Sequence, residues 1–209
     1  MEGVIFVINW FRFLKLTLQD IKNKDKDKFI GGFYIYVNEM GAGKTLSMVR
    51  EAKMLHDKGY KVYSNFCLSF QEYNLMHWRD IPKVPPNSVI LLDEISDLFN
   101  SREWKNMPKG IFTYLINSRK RNVRIMSTAQ EYDEIDKTIR TKATYVIECS
   151  HLGRLIRNKF YKRKIYEMGY GNKGRKSEFS EWFIREDFYS DYYDTNEVVK
   201  VLEGMENSN

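Results

Sequence analysis

Cysteine is scarce in this chain. Of its 209 residues only Cys67 and Cys149 are cysteines. They form no C-x-x-C pair, which excludes a disulfide scaffold and a cysteine-built zinc site. Both read as reduced thiols of a cytoplasmic protein. The three histidines, His56, His77 and His151, fall at no metal-ligand spacing. Proline is also rare, and three of the four, Pro82, Pro85 and Pro86, cluster where they break any helix between residues 66 and 88. Internal repeats and low-complexity tracts are missing. So is an uninterrupted apolar run of membrane-spanning length. The most apolar stretch, residues 4–21, contains Asn9, Arg12 and Lys15. It also lacks the basic start and small-residue cleavage site of a signal peptide.

What is present is 43% hydrophobic and 15% aromatic residues, enough for one domain with a substantial core and some appendages. The formal net charge is +6. That balance suits a nucleic-acid or anionic-membrane partner and says nothing about fold.

The chain is organised around FYIYVNEMGAGKT, residues 33–45. Five strand-forming residues, Phe33 to Val37, enter a glycine-bearing turn, and Gly43-Lys44-Thr45 opens a helical pattern that ends near Gly59. Strand, loop and helix in that order are the context of a phosphate loop. Glycines let the backbone close around a phosphate, and the amides at a helix start point at it. The candidate nucleotide-binding residues are therefore Asn38, Met40, Gly41, Ala42, Gly43, Lys44, Thr45 and Leu46. Lys44 would reach the β- and γ-phosphates of ATP, and the Thr45 hydroxyl would ligate Mg²⁺. The pattern G-x-x-x-x-G-K-[ST] has glycine where this chain has Asn38. Asparagine is one of the few other residues that accept left-handed backbone angles.

A second motif follows. Ser88–Leu92 is a continuous apolar run, read as a strand buried on both faces of a parallel sheet, and it ends in Asp93-Glu94. Asp93 would hold Mg²⁺ through its water shell, and Glu94 would take the proton of the attacking water. Tyr60–Ser64 reads as another strand, and residues 66–88 as irregular. Pro108–Arg121 reads as a helix ending in the cations Arg119, Lys120 and Arg121. Val123–Met126 is the next buried strand, leading into Ser127-Thr128-Ala129-Gln130. Ligands of doubly wound sheets sit at the carboxyl ends of strands, so Gln130 is either a γ-phosphate sensor or a plain loop amide. Asp133–Thr141 reads as a short helix carrying Arg140, and Tyr145–Cys149 as the strand that closes the sheet.

Residues 38–45, PPNSVILLDEISDLF, NSRKRNVRIMSTAQ and DEIDKTIRTKATYVIE together resemble the zonula-occludens-toxin-like ATPases, relatives of the FtsK–HerA branch of P-loop ATPases. That group includes filamentous-phage assembly proteins and is related to the genome-packaging ATPases of tailless membrane-containing viruses. The resemblance covers residues 33–150. It implies a RecA-like sheet, ATP hydrolysis and a homo-oligomeric ring, hexameric or pentameric. It places Lys44 and Thr45 in the phosphate loop, Asp93 and Glu94 as the Walker B acids, Gln130 as the sensor, and Arg140 as the arginine that acts on a neighbouring subunit's γ-phosphate, with Arg119 or Arg121 as the alternative. Two departures stand: Asn38, and the lack of a spanning segment after residue 150, where the toxin-like and assembly members carry one.

The ends differ in character from the core. Residues 1–28 read as an amphipathic helix, with Asn9, Arg12, Lys15 and Gln19 on one stripe, followed by a charged linker, KNKDKDK. Such a helix packs on the domain's own sheet or docks on a membrane or capsid vertex. Residues 29–150 form the ATPase core of α/β class, a mostly parallel sheet flanked by helices. Residues 151–209 begin with a basic, aromatic hairpin that interleaves Arg154, Arg157, Lys159, Lys162, Arg163, Lys164, Lys173, Arg175 and Lys176 with Phe160, Tyr161, Tyr166 and Tyr170. It is either a solvated hairpin or a sequence-tolerant grip on nucleic acid.

The expectation from all this is an ATP-hydrolysing motor that moves double-stranded DNA, packaging a viral genome into a preformed capsid. It would work in the host cytoplasm, with membrane or virion contact through its N-terminus. The alternatives are a filamentous-phage assembly and export ATPase at the membrane, and a nucleotide-gated adaptor for DNA or membrane.

Overall fold

A computed structural model of the chain describes residues 29, 31–75, 78–95, 109–135, 137–151, 160–167, 179–184 and 192–193. In chain order the elements are β1 (Gly32–Val37), α1 (Lys44–Asp57), β2 (Lys61–Ser64), β3 (Tyr73–Asn74), a 3-10 segment Trp78–Lys83, β4 (Ser88–Leu92), α2 (Lys109–Asn117), β5 (Val123–Ala129), a 3-10 turn Tyr132–Glu134, α3 (Lys137–Arg140), β6 (Tyr145–His151), β7 (Phe160–Glu167) and β8 (Phe179–Ile184). The strands form one eight-stranded sheet in the order β3-β2-β4-β5-β1-β6-β7-β8. The first six in that order pair in parallel, and β7 and β8 add on antiparallel. This is the RecA-like, mostly parallel architecture expected.

Alternation along the strands splits the core in two. Phe33, Ile35 and Val37 of β1 join Ile90 and Leu92 of β4 on one face, under Ile111, Tyr114 and Leu115 of α2. Tyr34 and Tyr36 join Val89, Leu91 and Met126 on the other, under Leu46, Val49, Ala52 and Leu55 of α1. Every residue of β1, β4 and β5 is buried, which is why β1 and β4 read as near-continuous apolar runs.

Several boundaries differ from expectation. The strand expected at Val123–Met126 runs on to Ala129, so Ser127 and Thr128 belong to it. Buried hydroxyls are tolerated there because each finds a partner, Ser127 donating to the Tyr34 carbonyl at 3.3 Å and Thr128 to Asp93. The stretch 66–88, expected to be irregular, contains β3 and a 3-10 segment with Pro82 inside it. The single helix expected over Asp133–Thr141 is a 3-10 turn and then α3. Nor does β6 close the sheet. It lies between β1 and β7, and the hairpin strands cover an edge that would otherwise present unpaired amides and carbonyls.

The hairpin's return strand is β8. Its Glu181 meets Arg50 of α1 at 2.8 Å, and Arg50 also lies 4.8 Å over the Phe183 ring. The N-terminal segment 1–28 and the cations Arg154, Arg157, Lys159, Lys173, Arg175 and Lys176 lie outside the described residues, as does the tail beyond Tyr193. Among the described residues no helix is long and apolar enough to cross a membrane.

Candidate nucleotide site

The carboxyl ends of β1, β2, β4 and β5 come together at one edge of the sheet, and the site is built there. The loop between β1 and α1 turns on positive φ angles at Asn38 (143°), Gly41 (79°) and Gly43 (84°). Asn38 tolerates its angle because its side chain is tied at both ends. Its Nδ2 donates to the Cys149 carbonyl of β6 at 2.6 Å, and its Oδ1 accepts from the Glu39 amide at 2.8 Å. Asparagine thus does by hydrogen bonding what glycine would do by lacking a Cβ. At Gly41 a Cβ would meet nothing within 4 Å, so the requirement there is the backbone angle alone.

Helix α1 starts from Gly43 with no side-chain cap and no acidic residue in its first turn. Its leading amides and its positive dipole end are left to whatever anion the loop encloses. The Lys44 ammonium donates to the Asn38 carbonyl at 2.6 Å and the Glu39 carbonyl at 3.0 Å, lying across the loop that a phosphate would fill.

Across from the loop, β4 delivers Asp93. The Thr45 hydroxyl donates to Asp93 at 3.2 Å from each carboxylate oxygen, and the Thr128 hydroxyl donates to its Oδ1. Asn65, one residue past β2, clamps the Asp93 backbone from both sides, its Oδ1 accepting from the Asp93 amide at 2.9 Å and its Nδ2 donating to the Asp93 carbonyl at 3.3 Å. Burial pushes the Asp93 carboxyl above the usual carboxylate range. Hydrogen bonds from Thr128, Thr45 and the Glu94 backbone, together with the Lys44 charge, pull the other way without overcoming it. Glu94 follows at a φ of 54°, its amide donating to Thr128 Oγ1 at 2.9 Å and its side chain exposed.

The donor set suits a hard dication. Adjacent oxygens around an octahedral Mg²⁺ stand about 3 Å apart, given metal–oxygen distances of about 2.1 Å. The Thr45 hydroxyl that would take one such position is hydrogen-bonded to Asp93, which puts the carboxylate within reach of the ion's water shell. No group of three or more His, Cys, Asp or Glu occurs among the described residues, so a metal here would be held by one hydroxyl, one carboxylate, water and the substrate's phosphates.

Of the residues singled out from the sequence, Asn38, Lys44, Thr45, Asp93 and Glu94 lie at this edge. Gln130 is exposed there too, directly after Ala129, the β5 residue that pairs with Val37. Arg140 is not brought into this group. Its guanidinium pairs with Asp133 and lies 5.3 Å over the Tyr132 ring. It precedes Thr144, whose amide bonds to the Phe33 carbonyl at the opposite end of β1. The side-chain contacts of Arg140 are with Tyr132 and Asp133, and none of them reaches the loop or Asp93.

Two residues of the site were missed. Asn65 and Thr128 bond to Asp93 across sequence separations of 28 and 35 residues. The usable signal was position: each is a small polar residue at the carboxyl end of a buried parallel strand, where ligands of such sheets collect.

Comparison with known proteins shows the family and the fold. Residues 64–196 match the family described as zonular occludens toxin (Zot). The Gene 1 protein of Enterobacteria phage I2-2 is 25% identical over 149 residues, covering 58% of this chain and 41% of the phage protein. The chain thus spans about two fifths of that relative's length. Among solved structures, the N-terminal domain of zonular occludens toxin from Neisseria meningitidis superposes with a TM-score of 0.54 at 17% identity, covering 79% of this chain and 100% of that one. The genome packaging NTPase B204 from Sulfolobus turreted icosahedral virus 2, in complex with ATP-gammaS, gives a TM-score of 0.53 at 10% identity, covering 70% of this chain and 97% of the other. At these identities the structural likeness is one of fold.

Proposed function

The chain belongs to the zonular occludens toxin (Zot) family, and on that footing we propose that it is an ATP-hydrolysing motor of virus assembly that moves DNA. The observation that carries this reading is the 3.2 Å approach of Thr45 to both Asp93 oxygens, which joins the phosphate loop to the acid ending β4. A loop with an uncapped helix start on one side and a buried carboxylate on the other suits a nucleoside triphosphate with its dication.

In this mechanism the loop amides from Gly41 to Leu46 hold the β- and γ-phosphates, and Lys44 exchanges its carbonyl partners for phosphate oxygens. A magnesium ion held by Thr45 and Asp93 would neutralise charge developing on the phosphates. Glu94 takes the proton from the attacking water, and Gln130 orients that water. Thr128 keeps Asp93 and the Glu94 backbone in register. In a hexameric or pentameric ring, Arg140 of one copy reaches the γ-phosphate held by the next.

Packaging of a genome into a preformed capsid is one use of such a motor, and the fold shared with a genome packaging NTPase supports it. Extrusion of DNA through a membrane during phage assembly is the second reading. It rests on the resemblance to filamentous-phage assembly proteins, and the match to a phage protein is in keeping with it. The motor would act in the host cytoplasm, contacting a capsid vertex or membrane through residues 1–28.

Steady-state ATPase measured with and without double-stranded DNA, on wild type and Lys44→Ala, tests the proposal. Turnover that DNA raises, and that Lys44→Ala abolishes, is the expected result. Unchanged turnover in Lys44→Ala removes the phosphate-loop assignment. Turnover indifferent to DNA, with recovery in the membrane fraction, favours extrusion. Nucleotide binding without turnover leaves an adaptor.

A further inference from the structure

The opposite end of the sheet carries a second charged surface. Three loops meet at its amino edge: 85–87 before β4, 118–122 before β5 and 141–144 before β6. Asn87 and Asn122 lock the first two together, with the Asn87 amide donating to the Asn122 carbonyl at 3.1 Å and Asn122 Nδ2 to Asn87 Oδ1 at 2.6 Å. The third loop presses on Gly32, where a Cβ would come within 2.3 Å of Thr144 Oγ1. Between the second and third loops lies a cavity of about 170 Å³ lined by Leu115, Ile116, Ser118, Arg119, Lys142 and Thr144.

The charge on this edge is of one sign. Arg119, Lys120, Arg121 and Lys142 are all exposed, and the three loops contain no Asp or Glu. None of the four cations makes an ion pair among the described residues, although Arg121 lies 4.9 Å over the Tyr114 ring. Six basic side chains elsewhere do find acids: Arg50 with Glu181, Lys53 with Asp57, Lys61 with Glu72, Lys83 with Asp80, Arg124 with Glu51 and Arg140 with Asp133. The cavity also offers a neutral donor. Thr144 Oγ1 accepts from the Phe33 amide at 3.1 Å, which leaves its own proton to give.

We propose that this amino edge is a surface that grips the phosphate backbone of DNA. Arg119 and Lys142 close on one phosphate at the cavity mouth, and Lys120 and Arg121 meet its neighbours. The identity of the partner rests on the motor reading above; the surface itself is separate from the nucleotide site. A lipid headgroup would offer similar charge, but a membrane-docking face also needs apolar side chains to insert. Ile116, 40% exposed, is the one large apolar residue the edge presents among those described. A run of cations beside two amides, with a single exposed apolar side chain, suits a hydrated polyanion and sequence-independent binding. On this arrangement β5 starts at the DNA loop, carries Thr128 and ends just before Gln130, so one strand spans the two sites.

The test is fluorescence anisotropy of labelled double-stranded DNA across a salt series, using the full chain. Arg119→Glu with Lys142→Glu is expected to weaken binding about tenfold or more at moderate salt, and to lower the slope of log affinity against log salt by about two. The neutral pair Arg119→Gln with Lys142→Gln should give a smaller loss in the same direction. The charge-matched pair Lys58→Glu with Lys61→Glu, beside β2, should lose far less. Melting temperatures establish that each variant is folded. Wild-type affinity in the Arg119/Lys142 pairs overturns the proposal, as does an equal loss in the Lys58/Lys61 pair. Intact DNA binding combined with lost basal hydrolysis also overturns it, in favour of cations acting across the ring. Wild type that binds phosphatidylglycerol vesicles and no DNA overturns it in favour of a membrane. Wild type that hydrolyses ATP and binds neither fails the motor reading itself, and the DNA surface with it.

Discussion

The Thr128 hydroxyl donates to Asp93 Oδ1 and accepts from the Glu94 amide at 2.9 Å, so one side chain on β5 fixes both acids at the end of β4. The strand carrying it separates β4 from β1 and runs on to Gln130. A shift of β5 relative to β4 would move the metal-binding acid and the general base together.

Thr128→Val keeps the shape and removes both bonds. The Glu94 amide then loses its acceptor, which costs about 1–3 kcal/mol of stability for a buried unsatisfied group. The larger effect should be on turnover: kcat falling roughly tenfold to a hundredfold with little change in KM for ATP, because the acids are misplaced while the phosphate loop is intact. Thr128→Ser should recover most of it. A proportional loss in Ser and Val variants, or a change confined to KM, would show that the hydroxyl only fills space.

Asp93 is raised by burial, and the sign of the consequence follows. Its unfolded-state value lies below its folded-state value, so the unfolded chain gives up this proton first as pH rises. Folding stability is therefore greatest, as far as this group is concerned, below about pH 4, and is lost between the ordinary aspartate pKa and the raised one. Asp93→Asn, which can still accept from Thr45 and Thr128, should melt higher than wild type at pH 7 in EDTA. The gap should narrow toward pH 4 and shrink again when Mg²⁺ and nucleotide stabilise wild type alone. A lower melting temperature for Asp93→Asn at pH 7 would mean the carboxylate is not held at a cost.

Glu94 has the exposed side chain of the pair, and its φ of 54° aims the chain out of β4 just after Asp93. Glu94→Gln should bind ATP as wild type does and slow hydrolysis by about a hundredfold or more. Nucleotide affinity by fluorescent analogue and single-turnover hydrolysis separate the two steps. Normal single-turnover rates would assign water activation elsewhere.

Much of this site was legible in the sequence because its parts are local. Phe33–Val37 followed by Gly41, Gly43, Lys44 and Thr45 is a strand, a turn and a helix start within thirteen residues. Ser88–Leu92 with Asp93 and Glu94 is a buried strand and its end. What escaped is what depends on contacts between distant segments. Thr128 looks like any β-branched residue in a strand until β4 is laid beside β5. Asn65 looks like a loop amide until β2 is laid on the other side. The extension of the sheet past β6 escaped for the same reason, since antiparallel pairing of β7 is a matter of register between remote segments. Asn38 was read as a stand-in for glycine through its backbone preference. What its backbone angle does not reveal is the bond to Cys149, 111 residues away, which ties the loop to β6.

Arg124 is the least legible residue of all, a single charge inside VRIMSTA with a side chain only 9% exposed. Its partner is Glu51 on α1, at 2.6 Å, which also accepts from the Tyr36 hydroxyl at 2.8 Å. The guanidinium lies between the rings of Phe29 and Tyr34, at 4.9 and 4.7 Å. The pair pins the helix that carries Lys44 and Thr45 to the two strands beneath it. Removing one charge strands the other, so Arg124→Met and Glu51→Gln should each cost about 3–5 kcal/mol by urea denaturation. The double variant replaces the pair by a neutral amide and an apolar chain, and it should recover much of that loss. Singles that cost well under 1 kcal/mol, or a double as unstable as the sum of the singles, would show that α1 is held by its apolar face alone.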